Sequence, residues 1–187
     1  SAGMQMKRLG RLSFHLKWQD YVIEPFSGQN TPNTNFHSIN FSLQSVVDTR
    51  DRYPYPEQGK YHLLEYETAG ELLGSGVSYS KMYSSIEAYY PVASVVNFHP
   101  RFVWGIADNP TPYVKQFSMG GRDSFMGLPR NSLVGKRLVC LNLEWRFRLP
   151  WPGMIPAYLS LRSDLAGVWN EYSTIKINDF IFGNGII

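Results

Sequence analysis

Leu138-Val139-Cys140-Leu141-Asn142-Leu143-Glu144-Trp145-Arg146-Phe147-Arg148-Leu149 alternates without a break. Val139, Leu141, Leu143, Trp145, Phe147 and Leu149 fall on one face, and Cys140, Asn142, Glu144, Arg146 and Arg148 on the other. A period of two separates these sets cleanly on a strand, whereas a helical period smears both around the circumference. The stretch is therefore a strand, and it is longer than the about five or six residues usual in soluble sheets.

The same two-faced pattern recurs. Leu12, Phe14, Leu16 and Trp18 oppose Arg11, Ser13, His15, Lys17 and Gln19, and Ile39, Phe41, Leu43 and Val47 oppose Ser38, Asn40, Ser42 and Gln44. Val96, Phe98, Phe102, Trp104 and Ile106 oppose Asn97, His99 and Arg101, while Leu159, Leu161 and Leu165 oppose Tyr158, Ser160, Arg162 and Asp164. Segments 60–71 and 76–91 alternate less well but are rich in Tyr, and 177–187 begins another strand. Turn-forming stretches separate them at Ser27–Asn35, Tyr53–Gly59, Gly70–Gly76, Asp108–Pro112 and Pro150–Pro156. The longest interruption, Thr111–Gly135, holds a Gly-Gly pair and little alternation. The pattern predicts an all-β antiparallel meander of about seven or eight strands, with no helix of useful length.

Composition narrows the class. A chain of 187 residues with 43% hydrophobic, 18% charged and 15% aromatic residues suits one folded unit. Its single Cys excludes an internal disulfide framework. The net charge of +3 comes from 18 basic and 15 acidic residues spread along the chain, so no nucleic-acid partner is expected. No run approaches the about 18 apolar residues of a membrane-spanning helix, which excludes a helical membrane protein. Ser1-Ala2-Gly3 ahead of Met4 reads as a cloning remnant, leaving 4–187 as one folded unit.

An all-β meander can be a soluble sandwich, a lipocalin-like barrel or a transmembrane barrel. Outer-membrane strands need about nine to eleven residues, with apolar positions toward lipid, polar ones toward the lumen and aromatic girdles at the interfaces. Segments 11–24, 36–48, 94–107 and 137–149 are that long, and Trp18, Tyr21, Trp104, Trp145, Trp151, Tyr158 and Trp169 lie near strand ends. The same aromatics also suit the packed core of a soluble sheet.

Two groups of residues carry a resemblance. The first is Asp48-Thr49-Arg50-Asp51 followed by Pro54, Pro56 and Gly59, a strand end and a tight turn. The second runs Phe117-Ser118-Met119-Gly120-Gly121-Arg122-Asp123-Ser124-Phe125-Met126-Gly127-Leu128, then Gly135, the strand with Glu144 and Arg146, and Asp164-Leu165-Ala166-Gly167-Val168-Trp169. In order and spacing, residues 36–187 resemble the C-terminal barrel of the bacterial surface-antigen superfamily, which includes the assembly factors BamA and TamA, two-partner-secretion translocators and patatin-linked barrels.

The resemblance implies a transmembrane β-barrel of the bacterial outer membrane, or the C-terminal half of one. It implies a long loop, topped by Gly120 and Gly121 with Ser124 close behind, that folds back into the lumen. The loop's tip, usually Arg-Gly-aromatic, falls on Met126-Gly127-Leu128, and the wall acids it meets fall on Glu144 and Asp164, with Arg146 beside them. Met126 stands where the Arg is expected, which looks more like the patatin-linked or divergent branches. Family barrels have about sixteen strands, within the bacterial range. This chain is then a fragment, a piece that closes with another copy, or a divergent eight-stranded barrel.

Enzyme signatures are missing from the sequence. Gly74-Ser75-Gly76-Val77-Ser78 has the wrong order for a nucleophile elbow, His15, His37, His62 and His99 lack metal-ligand spacing, and Cys140 has no base beside it. The resemblance then implies a non-enzymatic function free of cofactors: insertion or translocation of polypeptides, with the lipid bilayer, a nascent or secreted polypeptide and a second copy of the chain as partners. The rival readings are the membrane anchor of a patatin-type lipase and a soluble ligand-binding β-barrel.

Overall fold

The computed structural model describes residues 2–5, 10–23, 34–150, 152, 156–171 and 176–187. Residues 27–33 of the predicted turn Ser27–Asn35, and Trp151, lie outside them, while the turn's last two residues, Thr34 and Asn35, belong to a strand. The strands are β1 (Ala2–Gln5), β2 (Arg11–Ile23), β3 (Thr34–Asp48), β4 (Gly59–Ala69), β5 (Tyr79–Ala93), β6 (Val96–Ala107), β7 (Phe117–Met119), β8 (Leu133–Gly135), β9 (Arg137–Leu149), β10 (Ala157–Trp169) and β11 (Ile181–Ile186). Helix is confined, among the described residues, to three-residue 3-10 turns.

Nine strands form one sheet in the order β1-β2-β3-β4-β5-β6-β9-β10-β11, every neighbouring pair antiparallel. Long registers hold it: β9 and β10 pair from Arg137↔Trp169 to Leu149↔Ala157. The sheet is open between β1 and β11, so the eight-stranded closed barrel does not form. The meander has nine strands among the described residues, against the seven or eight that the alternation predicted, and two further strands, β7 and β8, form a separate ribbon inside the predicted long loop, each only three residues long. Alternation over three residues gives no periodicity to detect. Residues 2 and 3, expected to be a remnant, pair with Phe14 and Ser13.

The two faces of the sheet invert the soluble pattern. One face carries Leu16, Phe102, Trp145, Leu161 and Leu165, all exposed, with Trp18 73% and Phe182 65% exposed. The other face buries Ser38, Asn40, Ser42, Asn142, Ser160, Arg162 and Asp164. Apolar side chains outside and polar ones inside are stable only where the outer solvent is itself apolar, as in a bilayer. The soluble-barrel alternative fails on this point.

The segment between β6 and β9 folds back over the inner face. Phe117, Met119 and Phe125 of that segment pack with Val103 and Ala107 of β6, Leu138 and Cys140 of β9 and Ala166 of β10 in one buried cluster. The core thus lies between the wall and the loop.

Candidate functional site

The loop tip is shaped by its own backbone. Gly120 has φ of 123°, and a Cβ there would lie 2.0 Å from the Pro129 carbonyl oxygen, so only glycine fits. The Ser124 hydroxyl donates to the Gly120 carbonyl at 2.7 Å and accepts from its N–H at 3.0 Å. Gly121 donates to the Leu128 carbonyl at 2.8 Å, and Phe125 donates to the Gly121 carbonyl at 2.9 Å. Gly127 is also left-handed, and Leu128 packs against the buried cluster. All six predicted loop residues therefore lie in one compact knot.

That knot is held by the wall mainly through main-chain atoms. The Met126 N–H donates to Asp164 Oδ2 at 2.7 Å. Arg162, two residues along the same face of β10, donates through Nε to Asp164 Oδ1 at 2.8 Å and through Nη1 and Nη2 to the carbonyls of Arg122 and Ser124 at 2.9 and 3.1 Å. Asn142 of β9 bridges Asp164 Oδ1 at 2.7 Å and the Ser124 carbonyl at 3.1 Å. Arg101 of β6 donates to the Asp123 carbonyl at 3.1 Å. Asp164 is fully buried, and these donors stand in for its water shell. Arg162 on the wall thus supplies the guanidinium that pairs with Asp164, and among the described residues no hydrogen bond or ion pair links the side chain of Arg122 or Arg130 to it.

Beside the tip, Gly183 and Gly185 of β11 make room. A Cβ on Gly183 would lie 2.5 Å from the Met126 carbonyl oxygen, and one on Gly185 would lie 2.1 Å from the Met126 methyl carbon. The Met126 side chain therefore lies over β11.

Glu144 does not meet the tip. It belongs to a belt of alternating charge across β5, β6 and β9: Arg101–Glu87 at 3.2 Å, Glu87–His99 at 3.6 Å, His99–Glu144 at 3.3 Å and Glu144–Arg146 at 3.0 Å. Ser160 of β10 donates to Glu144 at 2.7 Å, and the Tyr89 ring stacks on His99 at 4.1 Å. The belt borders a cavity of 330 Å³ lined by Glu87, His99, Arg101, Asn142, Glu144 and Arg146 among others. Of the four histidines only His99 joins this belt, and no group of three potential metal ligands occurs among the described residues.

From the opposite end of the sheet the β3–β4 turn reaches toward the same cavity. Asp48 takes a bidentate pair from Arg50 at 2.9 and 2.6 Å, and Arg50 lies over the Tyr61 ring at 4.4 Å. Asp51 Oδ1 accepts from the N–H groups of Glu57 and Gln58 at 2.9 and 3.2 Å, and Gly59, with φ of 110°, starts β4. Asp51 lies below the usual carboxylate range: slight desolvation acts upward, and the Gln58 N–H and the Arg52 guanidinium outweigh it. Beyond the turn the Pro56 carbonyl accepts from Arg146 at 3.4 Å, Glu57 pairs with Arg148, and Tyr55 packs on Tyr158 at 5.0 Å. The predicted turn residues therefore form one unit, and Arg146 joins it to the wall belt.

Apolar outside, polar inside and a loop docked on the inner wall define a transmembrane β-barrel with a luminal loop. The chain belongs to the Omp85 superfamily, whose domain model matches residues 1–184, and its place is the bacterial outer membrane. The crystal structure of BamA from Haemophilus ducreyi lacking POTRA domains 1-3 is similar in fold, with a TM-score of 0.77 at 16% identity over 98% of this chain and 46% of that one. This chain therefore spans less than half of that structure. No curated protein matches the chain.

Proposed function

We infer that the domain inserts or translocates polypeptides at the outer membrane without catalysing a covalent step. Family membership supports the reading, and the observation that carries it is the docked loop, whose tip joins β10 and β11 at Asp164, Gly183 and Gly185. In this reading the barrel seam opens, a strand of the substrate pairs with the exposed edge by β-augmentation, and the loop braces the inner wall meanwhile. The partners are the lipid bilayer and an unfolded or secreted polypeptide.

The test is reconstitution of the full-length protein into phospholipid vesicles with an unfolded outer-membrane β-barrel as substrate. The expected result is faster appearance of protease-protected, heat-modifiable substrate than in empty vesicles, and equal rates overturn the reading.

A second reading, the membrane anchor of a patatin-type lipase, is favoured by Met126 in the place of the family's Arg. A Gly-x-Ser-x-Gly elbow elsewhere in the polypeptide supports it, and repeated POTRA domains there overturn it.

A further inference from the structure

Lys115 is a part of the loop that the tip motif does not explain. It ends the 3-10 turn Tyr113–Lys115, just ahead of β7, and is only 7% exposed. Its Nζ donates to Gln19 Oε1 of β2 at 2.9 Å and to Glu67 Oε1 of β4 at 3.5 Å. It also lies 5.3 Å from the ring centre of Tyr21 and 5.8 Å from that of Tyr79. Glu67, 5% exposed, accepts from the Tyr79 hydroxyl at 2.6 Å and faces Lys81 at 3.7 Å. An ammonium this deeply buried needs a carboxylate and hydrogen-bond acceptors in place of its water shell, and both are present.

The loop is therefore held at two separate places on the sheet. Lys115 fixes it to β2 and β4, and the tip fixes it to β10 and β11, with β5, β6 and β9 between them in the sheet order. The stretch between the anchors has little slack. β7 is paired with β8 from Phe117↔Gly135 to Met119↔Leu133, and Phe117 lies against Gly105, where a Cβ would come within 2.8 Å of its ring. Phe117, Met119 and Phe125 share one buried cluster, so a shift at one end disturbs close packing at the other.

We propose that Lys115 is a positioning residue which, with Glu67 and Gln19, ties the loop to the β2–β4 flank, so that the loop is a cross-brace between the two flanks of the wall. Seating of Lys115 and docking of the tip on Asp164 are then coupled, and by linkage the coupling is reciprocal. The consequence for transport rests on the assembly reading above. The tie itself does not, because its test reads amide exchange and not activity.

Hydrogen exchange followed by mass spectrometry on the full-length protein, folded in detergent micelles, tests the coupling. In Lys115→Met the amides of Phe125–Leu128 are expected to exchange about 10-fold faster, within the usual range of coupling between sites, with Lys115→Arg recovering toward the wild-type rate. In the reciprocal arm, Asp164→Asn speeds exchange at the Lys115 and Gln116 amides, which donate to the carbonyls of Pro112 and Tyr113. Tip exchange within about twofold of wild type in Lys115→Met, with the heat-modifiable band retained, overturns the proposal. Should Lys115→Met fail to fold, Gln19→Ala removes one acceptor and leaves the Lys115–Glu67 pair. About threefold faster tip exchange is then expected, and an unchanged tip overturns the proposal.

Discussion

The main-chain N–H of Met126 donates to Asp164 Oδ2 at 2.7 Å, so the loop tip meets the wall through a backbone donor and not through the Met126 side chain. Any residue except proline supplies that donor. Asp164 obtains its positive partner from Arg162 on its own strand.

It follows that Met126→Arg gains no lock. Asp164 is already paired, and the Met126 side chain lies against the β11 backbone at Gly185, so a longer charged group there has to be turned away from that contact. The expected outcome is a loss of about 1 to 3 kcal/mol from crowding, read as a lower midpoint in a urea titration of gel mobility. A raised midpoint contradicts this account of the tip.

Asp164→Asn acts in the opposite manner, by removing charge. Arg162 is left buried beside a neutral amide, and the Met126 N–H loses its charged acceptor. Breaking a buried pair by removing one partner costs about 3 to 5 kcal/mol. The same urea titration should show a far larger shift than the next variant gives, together with proteolytic cleavage after Arg122 or Arg130.

Glu144→Gln separates the wall belt from the loop. Glu144 bonds to His99, Arg146 and Ser160 and has no bond to the tip, so the wall should lose about 1 to 3 kcal/mol while cleavage at the tip stays at the wild-type level. Tip exposure equal to that of Asp164→Asn would return Glu144 to the loop contact.

The two β11 glycines give a differential test. Alanine at Gly185 meets only the mobile end of the Met126 side chain, whereas alanine at Gly183 meets the Met126 carbonyl, which cannot rotate away. Gly183→Ala should therefore free the tip for proteolysis, and Gly185→Ala should leave it protected. Equal behaviour would show that backbone contact with β11 does not seat the loop.

At the opposite end of the sheet, Asp51→Ala removes the acceptor of two main-chain N–H groups and should cost about 1 kcal/mol. Because the folded pKa of Asp51 is depressed, its contribution is fully present above the ordinary value near 3.9 and is lost as pH falls through the lower folded value. Wild type and Asp51→Ala should thus converge in stability in strong acid, as followed by urea titration at a series of pH values.

The strand faces were legible because alternation over a dozen residues has one geometric solution, and Leu138–Leu149 shows it best. The β7–β8 ribbon was not, since three residues define no period. Asp164 was legible through the resemblance, but the contacts of Arg162 and Asn142 with the loop end on carbonyl oxygens, and main-chain acceptors leave no mark in a sequence. Position in the family motif set Glu144 beside the tip, whereas the histidine on β6 draws it into the wall belt. Lys115 was missed because Gln19 lies 96 residues away and no pattern links the two.

Nine strands, each antiparallel to its neighbours, leave β1 and β11 pointing the same way. Rotating a second copy about the barrel axis would set β11 of one beside β1 of the other in parallel, at both seams. A wall that stays antiparallel all round takes an odd number of strands that are not in this sheet, so two identical halves of this kind do not make one uniform barrel.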